Sequence, residues 1–181
     1  PAAVTQTAQK PQTVPRVSQT EAKFQYEMGK FYRSSDPQKS YRSFLIAAEN
    51  GHVDAQVRLG DLFMHYYITI DGESISPDYS KGAYWYEKAA NQSNAEAQYK
   101  TGWAYEFGFG VTMNRLKAVE WYRKAAENNN REAMFRLGYL YSKAAYGVPD
   151  DERESLKWYI ESARRGYKRA KDYLKAKKIK Y

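Results

Sequence analysis

The sequence predicts an all-α protein, an α/α superhelical solenoid of about four helix pairs plus a C-terminal capping helix. Three observations carry that expectation. Glycines inside helix-like stretches recur at Gly29, Gly60, Gly102 and Gly138, in steps of 31, 42 and 36 residues. The aromatic doublets Trp85-Tyr86, Trp121-Tyr122 and Trp158-Tyr159 step by 36 and 37 residues, and small residues follow each one. An alanine ladder, Ala55, Ala97, Ala133 and Ala170, runs through the same register. Self-similarity at a fixed period of about 20–50 residues marks stacked supersecondary units that bury one continuous core.

Taken in order, residues 1–20 are rich in Pro, Gln, Thr and Ala without apolar periodicity and read as a disordered N-terminal arm. The units follow at approximately 22–53, 54–95, 96–131 and 132–169, with a cap over 170–181. Each unit divides into two helices. The first carries Ala-x-x-x-Leu-Gly, as in Ala55 to Gly60 and Ala133 to Gly138, with Met28-Gly29 and Thr101-Gly102 as variants. A glycine in a helix interior costs about 1 kcal/mol relative to alanine. Its return at one position therefore predicts a neighbour too close for a Cβ. The second helix has start signals at Asp36-Pro37, Ser76-Pro77, Asn114 and Asp150 or Asp151, which are good N-caps, with Pro twice at the first helical position. It runs through the doublet, whose tryptophans are expected in the inter-helix core, into Ala89-Ala90, Ala125-Ala126 or Ser162-Ala163. The first unit has Ser43-Phe44 in place of the doublet. The second holds six extra residues within 65–76, including a β-like run from Tyr66 to Ile70 that ends in Asp71-Gly72. At the end of the chain the glycine register falls on Lys175, so the stack should close with a helix over roughly 167–178 and a polar outer face.

The pattern Ala-x-x-x-Leu-Gly-x-x-Tyr, a Gly-x-Gly-Val loop, then Asp/Asn-x-x-Lys-Ala-x-x-Trp-Tyr-x-Lys-Ala-Ala resembles the Sel1-like repeat, an α/α solenoid related to the tetratricopeptide repeats. The match is fullest from Ala97 to Asn130, through Gly102, Tyr105, Gly108, Gly110-Val111, Asn114, Lys117-Ala118, Trp121-Tyr122 and Lys124-Ala125-Ala126. The resemblance implies an adaptor or scaffold role, frequently for exported bacterial proteins and also in eukaryotic assemblies. One concrete form is a dedicated inhibitor or immunity partner of a secreted toxin.

Composition narrows the chemistry. The chain has 181 residues, a net charge of +8 and no cysteine, which removes disulfides, thiolate metal sites and cysteine nucleophiles. Its mean hydropathy is −0.85. No segment approaches the roughly 20 apolar residues of a membrane-spanning helix. His52 and His65 stand 13 residues apart, outside any ligand pattern, and no metal or cofactor site is expected. Phe107-Gly108-Phe109-Gly110 reads as a turn between paired helices, because no strand precedes it and no Gly-Lys-Ser/Thr follows. No nucleophile elbow or metalloprotease motif occurs, so no catalytic residues are expected. The arm and the absent initiator Met lead us to expect an exported protein, periplasmic or at the cell surface, with a cytoplasmic one as the alternative.

Residues 164–181 hold nine basic residues and one acidic, whereas 21–163 hold 18 basic and 20 acidic. The high pI thus reports one segment, whose lysines and arginines suit the end of a capping helix. It also supplies the alternative partner class, an anionic surface or nucleic acid. The leading expectation is a protein or peptide partner on the inner face of the solenoid, with no small-molecule substrate. In the glycine-bearing helices the residue before the Leu position is Arg58, Lys100 or Arg136, and the one three later is Asp61, Trp103 or Tyr139. Residues three apart share a helix face, and stacked units would align them into one stripe, with Trp103 and Tyr139 facing solvent. The competing account is that Asp54, Glu96 and Glu132 pair with the basic residues at i, i+4 and only support the helices. Tyr67 and Ile70 of the insertion complete the expected site, against the alternative that its Ile and Tyr residues fold back over the adjacent helix pair.

Overall fold

A computed structural model describes residues 14–66, 68–70, 73–143 and 148–181 of the chain. Among them lie nine α-helices: α1 (Gln19–Tyr32), α2 (Pro37–Glu49), α3 (Val53–His65), α4 (Tyr79–Ala90), α5 (Ala95–Phe107), α6 (Arg115–Glu127), α7 (Arg131–Tyr141), α8 (Glu152–Arg164) and α9 (Lys168–Ala176). Two three-residue strands, β1 (Ile68–Ile70) and β2 (Glu73–Ile75), form an antiparallel hairpin between α3 and α4. The helices pack in chain order, odd against even. Contact within the pairs α1/α2, α3/α4, α5/α6 and α7/α8 is more extensive than contact between consecutive pairs.

The helix starts follow from side-chain caps. Ser18, Asp36, His52, Asp78, Asn94, Asn114, Asn130 and Asp151 each accept a hydrogen bond from the backbone N–H three residues on. This is the geometry that satisfies an otherwise orphaned helix donor. One start differs from expectation: α4 is capped by Asp78 and begins at Tyr79, so Ser76 is no cap and Pro77 precedes the helix. The arm also ends earlier than its composition suggests. Asn50 accepts a hydrogen bond from the Val17 amide and donates to the Pro15 carbonyl, tying residues before α1 to the end of α2.

The recurrent glycines have a common reason. A Cβ on Gly29 would stand 2.5 Å from the Phe44 ring, one on Gly102 2.7 Å from Tyr122 and one on Gly138 2.9 Å from Tyr159, with Tyr86 closer still over Gly60. The close neighbour is therefore an aromatic ring of the paired helix, lying in a notch that only glycine leaves open. This corrects the reading of the doublets. Their second residues, Tyr86, Tyr122 and Tyr159, fill the notches and are buried. Of the tryptophans, Trp85 is buried but Trp121 and Trp158 are half-buried on the flanks. Phe44 takes the notch in the first unit.

The glycine loop after α5 is a turn. Gly108 ends the helix in the left-handed conformation, φ 76°. At Gly110, φ 73°, a Cβ would strike the Tyr79 carbonyl, so this loop rests on the start of α4. At the C-terminal end Leu174 is buried and Tyr173 stacks on Tyr159 at 4.0 Å, while Lys175 faces solvent. The closing helix α9 thus has the apolar inner and polar outer faces expected of a cap.

Candidate partner-binding surface

Arg58, Lys100 and Arg136 each stand two residues before the notch glycine on α3, α5 and α7, and the stacking brings these helices side by side. Two of the three bases reach back to the preceding unit. Lys100 Nζ lies 2.5 Å from Asp61 Oδ1 and 2.8 Å from Glu96. Arg136 holds Glu106 through Nε and a terminal nitrogen. A buried tyrosine completes each cluster: the Tyr86 hydroxyl donates to Asp61 and the Tyr122 hydroxyl to Glu106, both at 2.8 Å. Burial, then the adjacent carboxylate, pushes both tyrosine pKa values upward. Burial also works against the Arg136 charge, but the hydrogen bond and charge of Glu106 outweigh it.

Asp61 and Glu106 occupy different register positions, one and four residues after their glycines, yet do the same work. Glu106 was not expected from the sequence. Its exposure is 2 %, and only its placement beside Tyr122 and Arg136 reveals its role. Of the helix-supporting i, i+4 pairs, Glu96–Lys100 forms, whereas Arg136 turns to Glu106 and Glu132 pairs with Arg131.

The other expected site residues divide. Tyr139 is exposed, with the Arg136 guanidinium 5.1 Å above its ring. Trp103 does not stand free in solvent: it is half-buried against the core around Tyr122 and stacks on Phe109 at 4.5 Å. A residue outside the expected set joins them. Phe107 is exposed, 5.6 Å from Trp103 and 5.3 Å beneath Arg136. Phe107 and Tyr139 thus flank one guanidinium, and Trp103 and Phe109 form an aromatic cluster with Phe107. Arg58 lies 3.6 Å from Asp61 with half its side chain exposed. Tyr67 lies outside the described residues, and Ile70 is described by its backbone alone; β1 packs against α2 of the preceding pair.

No helix among the described residues is long and apolar enough to cross a membrane. Nor do three potential metal ligands gather among them. The basic segment is a solvated surface in which Arg164 and Arg165 pair with Glu161, and Lys168 with Asp172.

Comparison with known proteins agrees with this architecture. The Sel1 repeat profile matches residues 22–52, 53–94, 95–130 and 131–167. The curated chitin synthase regulatory factor 3 of Schizosaccharomyces pombe is 26% identical over 157 residues, covering 82% of this chain and 16% of that protein. A Sel1 repeat protein from Oxalobacter formigenes superposes with a TM-score of 0.73 at 28% identity, over 84% of this chain and 62% of that one. A protective antigen of uropathogenic Escherichia coli strains, with the same repeat fold, superposes with a TM-score of 0.75 at 29% identity, over 88% of this chain and 34% of that one. The chain spans less than two thirds of the length of each. Sel1 repeats generally mediate protein–protein interaction. Four consecutive repeats, each with its aromatic ring seated on a glycine, make this chain a member of the Sel1 repeat family.

Proposed function

We propose that the chain is a non-enzymatic protein-binding module, an adaptor or a dedicated inhibitor, whose partner seats on the stripe of α3, α5 and α7. The observation that supports this most directly is the aromatic group around Arg136, where Phe107 is 46% and Tyr139 40% exposed. Aromatic and arginine side chains dominate interface energetics, and a few of them carry most of the binding. The family's general role points the same way. Lys100 and Arg136 serve the stripe by holding it rigid, because their charges are already met by Asp61 and Glu106.

The test is capture of the native partner from its host by the intact chain and by the double variant Phe107→Ala with Tyr139→Ala. Both side chains are exposed, so the melting temperature should stay within a few degrees of the parent. Affinity should fall by at least 2 kcal/mol, about thirtyfold. Unchanged capture refutes the stripe.

The solvated cations of α9 favour a second reading, an anionic surface. It requires binding to heparin or anionic vesicles that falls steeply with salt and disappears when residues 175–181 are removed. The exported location rests on the composition of residues 1–20, and fractionation of the host cell tests it.

A further inference from the structure

The three junctions between consecutive helix pairs of the repeats are built alike, with one exception. At the second junction the ring in the notch is Tyr86, the acid is Asp61 and the base is Lys100. At the third they are Tyr122, Glu106 and Arg136. The acid stands one or four residues after the notch glycine. At the first junction the base is Arg58, but the ring is Phe44, which has no hydroxyl. The two positions that supply an acid elsewhere are here Lys30 and Arg33, both basic.

A cleft opens in this place. It measures about 430 Å³, within the range of ligand sites, and is lined by Arg33, Ser40, Phe44, Arg58, Asp61, Leu62 and Tyr66. Its charges do not balance internally. Lys30 is held by Glu27 at 2.7 Å. Asp61, the one carboxylate in the lining, is engaged by Lys100 and the Tyr86 hydroxyl and stands 3.6 Å from Arg58. Arg33 is exposed and has no acidic partner among the described residues. Two guanidiniums thus face a cleft whose apolar wall is Phe44, Leu62 and Tyr66, and Ser40 turns its hydroxyl away to the Gly29 carbonyl.

We propose that this cleft receives an acidic side chain from an extended segment of the partner protein, with an apolar neighbour of that residue against Leu62 and Tyr66. The incoming carboxylate does at the first junction what Asp61 and Glu106 do at the others. Arginine suits this role because its planar fork binds carboxylates through two parallel hydrogen bonds. The proposal rests on the protein-binding reading and places one end of the partner segment beside Arg58, at the start of the stripe.

The experiment is an NMR titration of the full chain, following the arginine Nε–H signals. The probes are the blocked peptide acetyl-Gly-Leu-Glu-Leu-Glu-Leu-Gly-amide and its counterpart with Gln for both Glu. The Glu peptide should shift Arg33 and Arg58 saturably, and the Gln peptide should bind at least tenfold more weakly. Arg33→Glu supplies the missing acid from within. It should keep the fold, raise or preserve the melting temperature, and weaken the Glu peptide at least tenfold. Absence of a saturable shift, equal binding of the Gln peptide, or unchanged binding by Arg33→Glu overturns the proposal. The Phe107→Ala, Tyr139→Ala variant leaves the cleft intact and should titrate like the parent. A failed peptide titration with stripe-dependent partner capture therefore removes the carboxylate site alone. Peptide binding with stripe-independent capture removes the stripe alone.

Discussion

At Gly102 a single missing Cβ decides how close two helices come. Alanine there would gain about 1 kcal/mol of helix propensity, but its Cβ would press on the Tyr122 ring at 2.7 Å. That ring is fully buried and fixed by its hydrogen bond to Glu106, so it cannot step aside. Overpacking costs about 1–3 kcal/mol, and Gly102→Ala should emerge destabilised in chemical denaturation. For the same reason Tyr122→Ala should cost more than Trp121→Ala, the reverse of what the prominence of tryptophan suggests. The recurrence of both residues is legible in the sequence, but which of them enters the notch is not. Adjacent helical residues point about 100° apart, and only the position of the partner helix selects one.

His52 adds a residue-scale dependence on pH. Its Nδ1 accepts the Ala55 amide as the cap of α3, and its ring stacks on Tyr26 at 4.4 Å. Burial lowers its pKa below the usual 6.5. Below about pH 6.5 the unfolded chain therefore takes up a proton before the folded one does, and stability falls. Protonation also turns the capping acceptor into a donor. Thermal melts at pH 7 and pH 5 should show a decrease that His52→Asn, which keeps a capping oxygen, abolishes.

At the scale of the element, the sequence shows a helix wherever a cap precedes a periodic run. Asp36, Asn114 and Asp151 cap as expected because each stands at an abrupt change from loop to helix. The start of α4 misleads, since Ser76-Pro77 and Asp78 are all acceptable signals. The difference is physical: Asp78 accepts from the Lys81 amide while its own amide donates to the Phe63 carbonyl of α3, which fixes the entry. Asp78→Ala should thus cost about 1 kcal/mol, and Ser76→Ala next to nothing; paired urea titrations distinguish them. The insertion before α4 is recognisable as β-like from Tyr66 to Ile70, and a hairpin with Ile68 opposite Ile75 is found there. That it rests on α2 depends on a contact distant in sequence, and no local pattern encodes it.

For the molecule as a whole, the period and the capping helix are readable because each unit contacts mainly its neighbours. The binding stripe is only half readable. Register aligns Arg58, Lys100 and Arg136, but their partners Asp61 and Glu106 fall at different offsets, so no repeat search unites them. Phe107 escapes notice because it ends its helix next to a turn glycine. The charge distribution, in contrast, can be counted directly: a nearly neutral body and a basic end, the latter solvated along α9.

The alternation of tight pairs and sparer junctions has a mechanical consequence. Drawn apart by its ends, the protein is a row of stiff links with softer joints. The second and third joints are pinned by the ion pairs Lys100–Asp61 and Arg136–Glu106, whereas among the described residues Arg58 reaches α1 through the Tyr26 side chain and through no acid of α1. The first link should therefore part before the others in an optical-tweezers trace. Each later link should release a separate length of roughly 120 Å, the extended reach of one 36-residue repeat. A carboxylate ligand seated beside Arg58 would raise the force at which the first link lets go, and so stiffen the end of the chain that yields first.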